Sequence, residues 1–217
     1  MPRNKQAGLF ITLEGGEGAG KTTQLARLVG RLESEGLPVY RTREPGGTPA
    51  AEALRKLLLF GDEHFCWQAE IMTHMAARAD HLAQAIQPAL EEGKIVICDR
   101  FHDSTWAYQG YGIGEGRREV LDYISSLRRL VGGEPDVTFW LDLPCERARQ
   151  RVAQRGGKVD RYEGQKMQFH QRVREGFWKM AECDPDRIVR VDASQSVEEV
   201  QEHLYRLVHQ QLAGRAA

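Results

Sequence analysis

Gly15-Gly16-Glu17-Gly18-Ala19-Gly20-Lys21-Thr22 fits G-x-x-x-x-G-K-[ST] at every fixed position. The chemistry of that spacing is phosphate binding. Glycines let successive backbone N–H groups curl around an anion where a Cβ would obstruct it. The lysine reaches terminal phosphates, and the hydroxyl after it can ligate Mg²⁺. An ordinary glycine-rich turn is the alternative, and the flanking residues argue against it. Leu9-Phe10-Ile11-Thr12-Leu13 reads as a buried strand before the octet; Leu25, Leu28, Val29 and Leu32 share one helix face after it. An anion at the start of such a helix meets unpaired N–H groups and a favourable dipole. The candidate phosphate-binding set is therefore Gly15, Gly16, Glu17, Gly18, Ala19, Gly20, Lys21, Thr22 and Thr23.

Short apolar runs that predict strands, at 9–14, 38–42, 94–98, 137–143 and 188–192, alternate with helical patterns. Those patterns predict helices near 21–35, 49–59, 66–86, 117–131, 145–155, 163–182 and 196–213. In the last of these Val197, Val200, Leu204, Leu207 and Leu212 follow the helical period, and Ser196 with Glu199 forms a capping box. The alternation predicts an α/β fold with a five-stranded parallel sheet flanked by helices on both faces and right-handed crossovers. Ligands of such sheets bind at the carboxyl ends of the strands. There lie Glu14 to Thr22, then Arg43-Glu44-Pro45-Gly46-Gly47-Thr48, then Asp99-Arg100-Phe101. Asp99 stands where an acidic residue holds Mg²⁺ directly or through water, so Thr22 and Asp99 are the candidate metal ligands. A surface ion pair is the bland alternative for Asp99-Arg100, and it weakens beside the two other loops.

The whole chain bounds the rest. Its 217 residues fit a single domain with no dividing linker, and a core of that size needs no disulfide or metal. A net charge of −1 argues against a nucleic-acid partner bound through bulk positive charge. Cys66, Cys98, Cys145 and Cys183 are widely separated and predict free thiols in a reducing compartment. The start lacks an apolar stretch of signal-peptide length and no run approaches the ~18 apolar residues of a membrane span, so the expected location is cytoplasmic. The seven histidines form no H-E-x-x-H or facial-triad spacing, and the four tryptophans no stacking platform.

Six segments together carry a closer resemblance: Gly15 to Thr22, Thr42 to Thr48, Ala76-Ala77-Arg78, Asp99-Arg100-Phe101, Ala107-Tyr108-Gln109-Gly110 and Asp160-Arg161-Tyr162-Glu163. In this order the chain resembles the thymidylate kinase family from about residue 9 to 194. The resemblance implies a P-loop kinase fold with a mobile lid at about 147–163. It implies transfer of the ATP γ-phosphoryl group to dTMP, with ATP and Mg²⁺ required, and a homodimer. Residue by residue, it implies that Arg55 and Arg100 hold the dTMP phosphate, with Arg43, after the second strand, also in the substrate-binding set. It implies that Glu17 contacts the 3′-hydroxyl, and that Arg78, Thr105 and Gln109 read the base edge. Tyr162 is implied beside C2′. Pro45 matches a position that follows a cis peptide. Asp192-Ala193-Ser194 matches the loop near adenine.

Phosphoryl transfer needs cations around a loose, anionic transition state, and the variable positions of the phosphate loop supply none. Arg147, Arg151 and Arg155 share one helix face, so Arg155 and then Arg151 are expected as lid cations beside Lys21, Arg100 and Asp99. Two departures stand out. His74 occupies the position where the family places a phenylalanine on thymine, and a neutral, stacking imidazole there predicts affinity that varies between pH ~5.5 and ~8. Gly157-Lys158-Val159 also makes the segment before Asp160 one residue longer than the family pattern. A different acceptor such as dUMP is the neighbouring alternative. A non-catalytic nucleotide switch is the distant one, but no N-K-x-D string occurs and Lys21, Asp99 and the lid arginines are all present.

Overall fold

The computed structural model describes residues 8–62, 64–155 and 161–216, without the side chains of Arg155 and Ala216. Five short runs rich in β-branched and aromatic residues make the sheet: Leu9–Glu14 (β1), Val39–Arg43 (β2), Ile95–Asp99 (β3), Val137–Asp142 (β4) and Ile188–Asp192 (β5). The central β1, β3 and β4 are almost wholly buried, and the edge strands β2 and β5 are partly exposed. All pairings are parallel, in the order β2-β3-β1-β4-β5. The sequence predicts these five strands to within a residue or so at each end. Register then aligns the chemistry: Leu13 and Arg43 both pair with Asp99, so β1, β2 and β3 end level with one another. Since β2 and β3 lie to one side of β1 and β4 and β5 to the other, chain reversal leaves a crevice above β1.

The helices are Lys21–Ser34 (α1), Pro49–Phe60 (α2), Trp67–His81 (α3), Gln87–Glu91 (α4), His102–Thr105 (α5), Arg118–Val131 (α6), Cys145–Arg155 (α7), Met167–Cys183 (α8) and Val197–Ala216 (α9). Alternation along β1 sends Leu9, Ile11 and Leu13 into one core with Leu25, Leu28 and Leu32 of α1 and Val200, Leu204 and Val208 of α9. Phe10 points the other way, to Ile86, Leu90, Val96 and Phe101. Each such side chain contributes on the order of 2 kcal/mol by burial. Thr48 caps α2 by accepting from the Ala51 N–H at 3.2 Å, with Pro49 opening the helix. The capping box of α9 is present, with Ser196 N to Glu199 Oε2 at 2.9 Å and Glu199 N to Ser196 Oγ at 3.2 Å.

Three helical expectations need correction. The single helix expected over 66–86 is α3 followed by a π-helical turn at Leu82–Ile86, and helical winding continues beyond it through α4 to Glu91. Pro88 has no N–H for the carbonyl four residues earlier, and the wider turn, closed by Gln87 N to Leu82 O, absorbs the mismatch. The helix expected from 163 begins at Met167, because 161–165 form a turn. Residues 102–113 are helical although no helix is predicted there: α5 runs into a π-helical segment, Trp106–Ile113. Residues 156–160 of the expected lid, including the Gly157-Lys158-Val159 segment that is one residue longer than the family pattern, lie outside the described residues.

Candidate functional site

The phosphate loop joins β1 to α1, and two glycines explain its course. Gly18 has φ +72°, and a Cβ there would meet the Ala148 carbonyl of α7 at 2.5 Å. A Cβ on Gly15 would meet the Leu141 carbonyl of β4 at 2.5 Å. The first turn of α1 has no side-chain cap and no acidic residue, so its N–H groups stay available to an anion. Lys21 is buried beneath the loop and donates to the Gly15 and Gly16 carbonyls at 3.0 and 2.9 Å. Burial, with Arg100 nearby, lowers its pKa. Thr22 Oγ1 donates to Asp99 Oδ2 at 3.3 Å, while Asp99 Oδ1 is buried without a hydrogen-bond partner. Two hard oxygen ligands, one of them an orphaned carboxylate oxygen, suit a Mg²⁺ that takes its remaining ligands from phosphates and water.

Arg100 leaves β3 with φ 71°, a left-handed conformation unfavourable for a side chain of this size. Glu14 holds that bend. Its buried carboxylate accepts from Phe101 N at 2.7 Å, Ser104 N at 3.2 Å and Ser104 Oγ at 2.5 Å. The Arg100 guanidinium thereby reaches the Gly15 carbonyl at 2.9 Å and Glu17 Oε1 at 2.5 Å, with its centre 4.8 Å from the Tyr108 ring. Tyr108 donates to the same Glu17 oxygen at 2.9 Å. Burial opposes ionisation of Glu17, but Arg100 and Lys21 outweigh it and hold the carboxyl at about 2.

Glu14 is the opposite case: burial, reinforced by Asp103, pushes its carboxyl from 4.5 up to about 7. Between those values the folded state binds more protons than the unfolded one, so this contribution to stability is present below pH 4.5 and lost as pH rises through 7. Glu14→Gln should remove the dependence. The melting temperature of the variant minus that of the native protein should rise from pH ~4.5 to ~8; a constant difference in calorimetry would contradict this.

Across the cleft, Arg78 is anchored from all sides. It donates to Glu44 Oε2 at 2.6 Å, Thr105 Oγ1 at 3.1 Å and the Phe101 carbonyl at 3.0 Å. Arg55 donates to the Pro45 carbonyl at 2.8 Å, and the Glu44–Pro45 peptide is cis, as the resemblance implies. Arg43 is exposed and pairs with Glu52 at 3.2 Å. His74 is buried, with its Nε2 3.1 Å from the Tyr162 hydroxyl. Burial, together with Arg78 and Arg55, lowers its pKa to about 3. The imidazole is therefore neutral, as expected, and burial takes its titration below the window of ~5.5 to ~8 in which affinity is expected to vary. Over that window the dTMP dissociation constants of the native protein and His74→Phe should run parallel, since the ionisation of the phosphate is common to both. Curves that diverge below pH ~6.5 would place the imidazole pKa in the ordinary range.

One continuous cleft of about 610 Å³ joins these parts. Ala193, Gln195 and Val197 line one end, Lys21, Thr22, Asp99 and Arg100 the middle, and His74, Arg78, Thr105, Gln109 and Tyr162 the other end. Arg151 lines it from α7 and donates to the Ala193 carbonyl at 3.3 Å. The side chain of Arg155 lies outside the described residues.

A family model described as thymidylate kinase matches residues 13–204. The chain belongs to the thymidylate kinase family. It is 58% identical to the thymidylate kinase of Gluconobacter oxydans (strain 621H), over 94% of this chain and 96% of that protein. It is 48% identical to that of Psychrobacter sp. (strain PRwf-1), over 94% and 99%. Its fold is similar to a crystal structure of thymidylate kinase from Ehrlichia chaffeensis, with TM-score 0.75 and 35% identity over 94% of this chain and 99% of that one.

Sequence reasoning gave no role to Glu14, Glu70 or Tyr108, of which Glu14 and Tyr108 brace Arg100 and Glu17 in this thymidylate kinase cleft. Glu70 was findable, since it precedes His74 by four residues and Arg78 by eight and so shares their helix face. Tyr108 lies in the π-helical segment, where helical periodicity gives no guide. Glu14 meets Ser104 across 90 residues of chain, and no local pattern records that.

Proposed function

We propose that this cleft binds ATP and dTMP end to end and that Arg100 stands where their phosphates meet. The reaction of the family is transfer of the γ-phosphoryl group of ATP to dTMP, giving dTDP and ADP in dTTP synthesis, and this chain catalyses it. The observation that carries the assignment of residues is the span of the cleft, from the capless start of α1, past Arg100, to the Arg78 pocket.

In this reading the N–H groups of residues 15–22 and the Lys21 ammonium cradle the ATP phosphates. Arg100 and Arg55 grip the monophosphate with charge-assisted bonds, and Arg43 adds positive charge at the rim. Glu17, held ionised by Arg100 and Lys21, accepts from the 3′-hydroxyl. Arg78, Thr105 and Gln109 read the base, His74 stacks on it, and Tyr162 crowds C2′ against a ribose. Thr22 and Asp99 would hold Mg²⁺, which supplies charge neutralisation at the phosphates. Arg151 and Arg155 on α7 bring further cations as the lid closes and excludes water, which limits ATP hydrolysis.

The chain acts as one domain spanning 1–217. Two copies pair through helix faces turned away from the cleft, among them the face of α3 that carries Met72, 53% exposed. The cytoplasm is the compartment that fits four unpaired thiols. Among the described residues no helix is long and apolar enough to cross a membrane. Coupled ADP release with a panel of monophosphates tests the reading. dTMP should be the best acceptor, with dUMP weaker by the modest margin one methyl contact allows, ~10-fold to ~200-fold. No ADP release above the ATP-only background with any acceptor would contradict it.

A further inference from the structure

No role assigned so far uses Glu70. It is 6% exposed on α3, and no lysine or arginine among the described residues pairs with it. Its Oε1 lies 2.7 Å from the Tyr162 hydroxyl and 3.0 Å from Gln109 Nε2. Gln109 Nε2 is also 2.9 Å from the Tyr162 hydroxyl, to which His74 Nε2 comes within 3.1 Å. Three segments of chain thus converge on one carboxylate: α3, the π-helical segment and the turn at 161–165.

Proton counting fixes the directions. A carboxylate only accepts, so the Tyr162 hydroxyl gives its one proton to Glu70. The Tyr162 oxygen then accepts, and His74 must carry its proton on Nε2. Gln109 must turn its NH₂ group to Glu70, because its carbonyl in that place would face another acceptor. The amide carbonyl is turned away, and it accepts no hydrogen bond from the described residues although Gln109 lines the cleft.

We propose that Glu70 is a positioning residue that sets base specificity, by locking the Gln109 amide so that its carbonyl presents an acceptor to the base. An acceptor there pairs with the N3–H of thymine or uracil and opposes the N3 lone pair of cytosine. Arg78, which has only donors, favours a base carbonyl over an amino group in the same way. A glutamine at position 70 offers a donor or an acceptor, so Gln109 is released to turn over and accept cytosine. The inference rests on the family reaction and specifies how this site selects its substrate.

The test is the ratio of kcat/KM for dTMP over dCMP, with thermal melts to verify folding. The native protein must turn over dTMP in this assay; failure there would count against the functional reading and not against Glu70. E70Q should lower the ratio about tenfold or more, since an unmatched polar contact is what enforces such discrimination. E70Q/Q109E should restore it, because a carboxylate at 109 accepts from the new glutamine and can only accept from the base. A ratio within about twofold of native in E70Q overturns the proposal. So does an equal loss with both acceptors that the double variant leaves unrepaired. Should E70Q not fold, Q109M removes the carbonyl and leaves Glu70 on Tyr162; it must lower the same ratio, and an unchanged ratio overturns the proposal.

Discussion

Lys21→Ala should lower kcat with dTMP about a thousandfold, while dTMP itself binds within a few-fold of native. Lys21 is the one cation of the phosphate loop, whose variable positions are Gly16, Glu17, Gly18 and Ala19. Its ammonium is held on the Gly15 and Gly16 carbonyls, at 3.0 and 2.9 Å, and so is already in place when the triphosphate arrives. The stabilisation it gives grows as charge accumulates on the transferring group, which places the loss on kcat. Single-turnover kinetics with calorimetric dTMP binding separates the two. A fall of less than about tenfold in kcat would contradict the role given to Lys21.

Arg100→Ala should cut kcat/KM for dTMP by about 10²- to 10³-fold, or ~3–4 kcal/mol of transition-state binding. The guanidinium touches the Gly15 carbonyl and the Glu17 carboxylate, so it stands between the phosphate loop and the acceptor pocket. Its loss also removes the larger of the two charge effects, its own and that of Lys21, that outweigh burial and hold the Glu17 carboxyl at about 2. Folding and catalysis can be told apart by the backbone. Arg100 has φ 71°, which glycine tolerates and alanine does not, so Arg100→Gly should be more stable than Arg100→Ala by ~1 kcal/mol. Both should be equally inactive. Substantial dTMP turnover in the glycine variant would remove Arg100 from the mechanism.

How far the sequence foretold this site follows from the range of the interactions. The five strands were legible because each is a short run dominated by apolar or β-branched residues between helical patterns, and the phosphate loop because its chemistry is confined to eight consecutive residues. The start of α9 was legible because a capping box is local. The segment that carries Tyr108 and Gln109 was not: Gly110 and Gly112 interrupt it, and π-helical winding puts its side chains out of the 3.6-residue period. Glycine at 112 lets Phe169 of α8 approach, since a Cβ would lie 2.5 Å from that ring. His74 was identified from its position, but its proton affinity depends on burial beside Arg78 and Arg55, which sequence spacing does not report.

A crystal structure with dTMP and a non-hydrolysable ATP analogue bound together tests the central claim most directly. Phosphate oxygens of the analogue should lie about 3 Å from the N–H groups of residues 15–22, and the dTMP phosphate about 3 Å from the Arg100 guanidinium. Nucleotides whose phosphates sat apart, with Arg100 still closed on Glu17 and far from either phosphorus, would contradict the account.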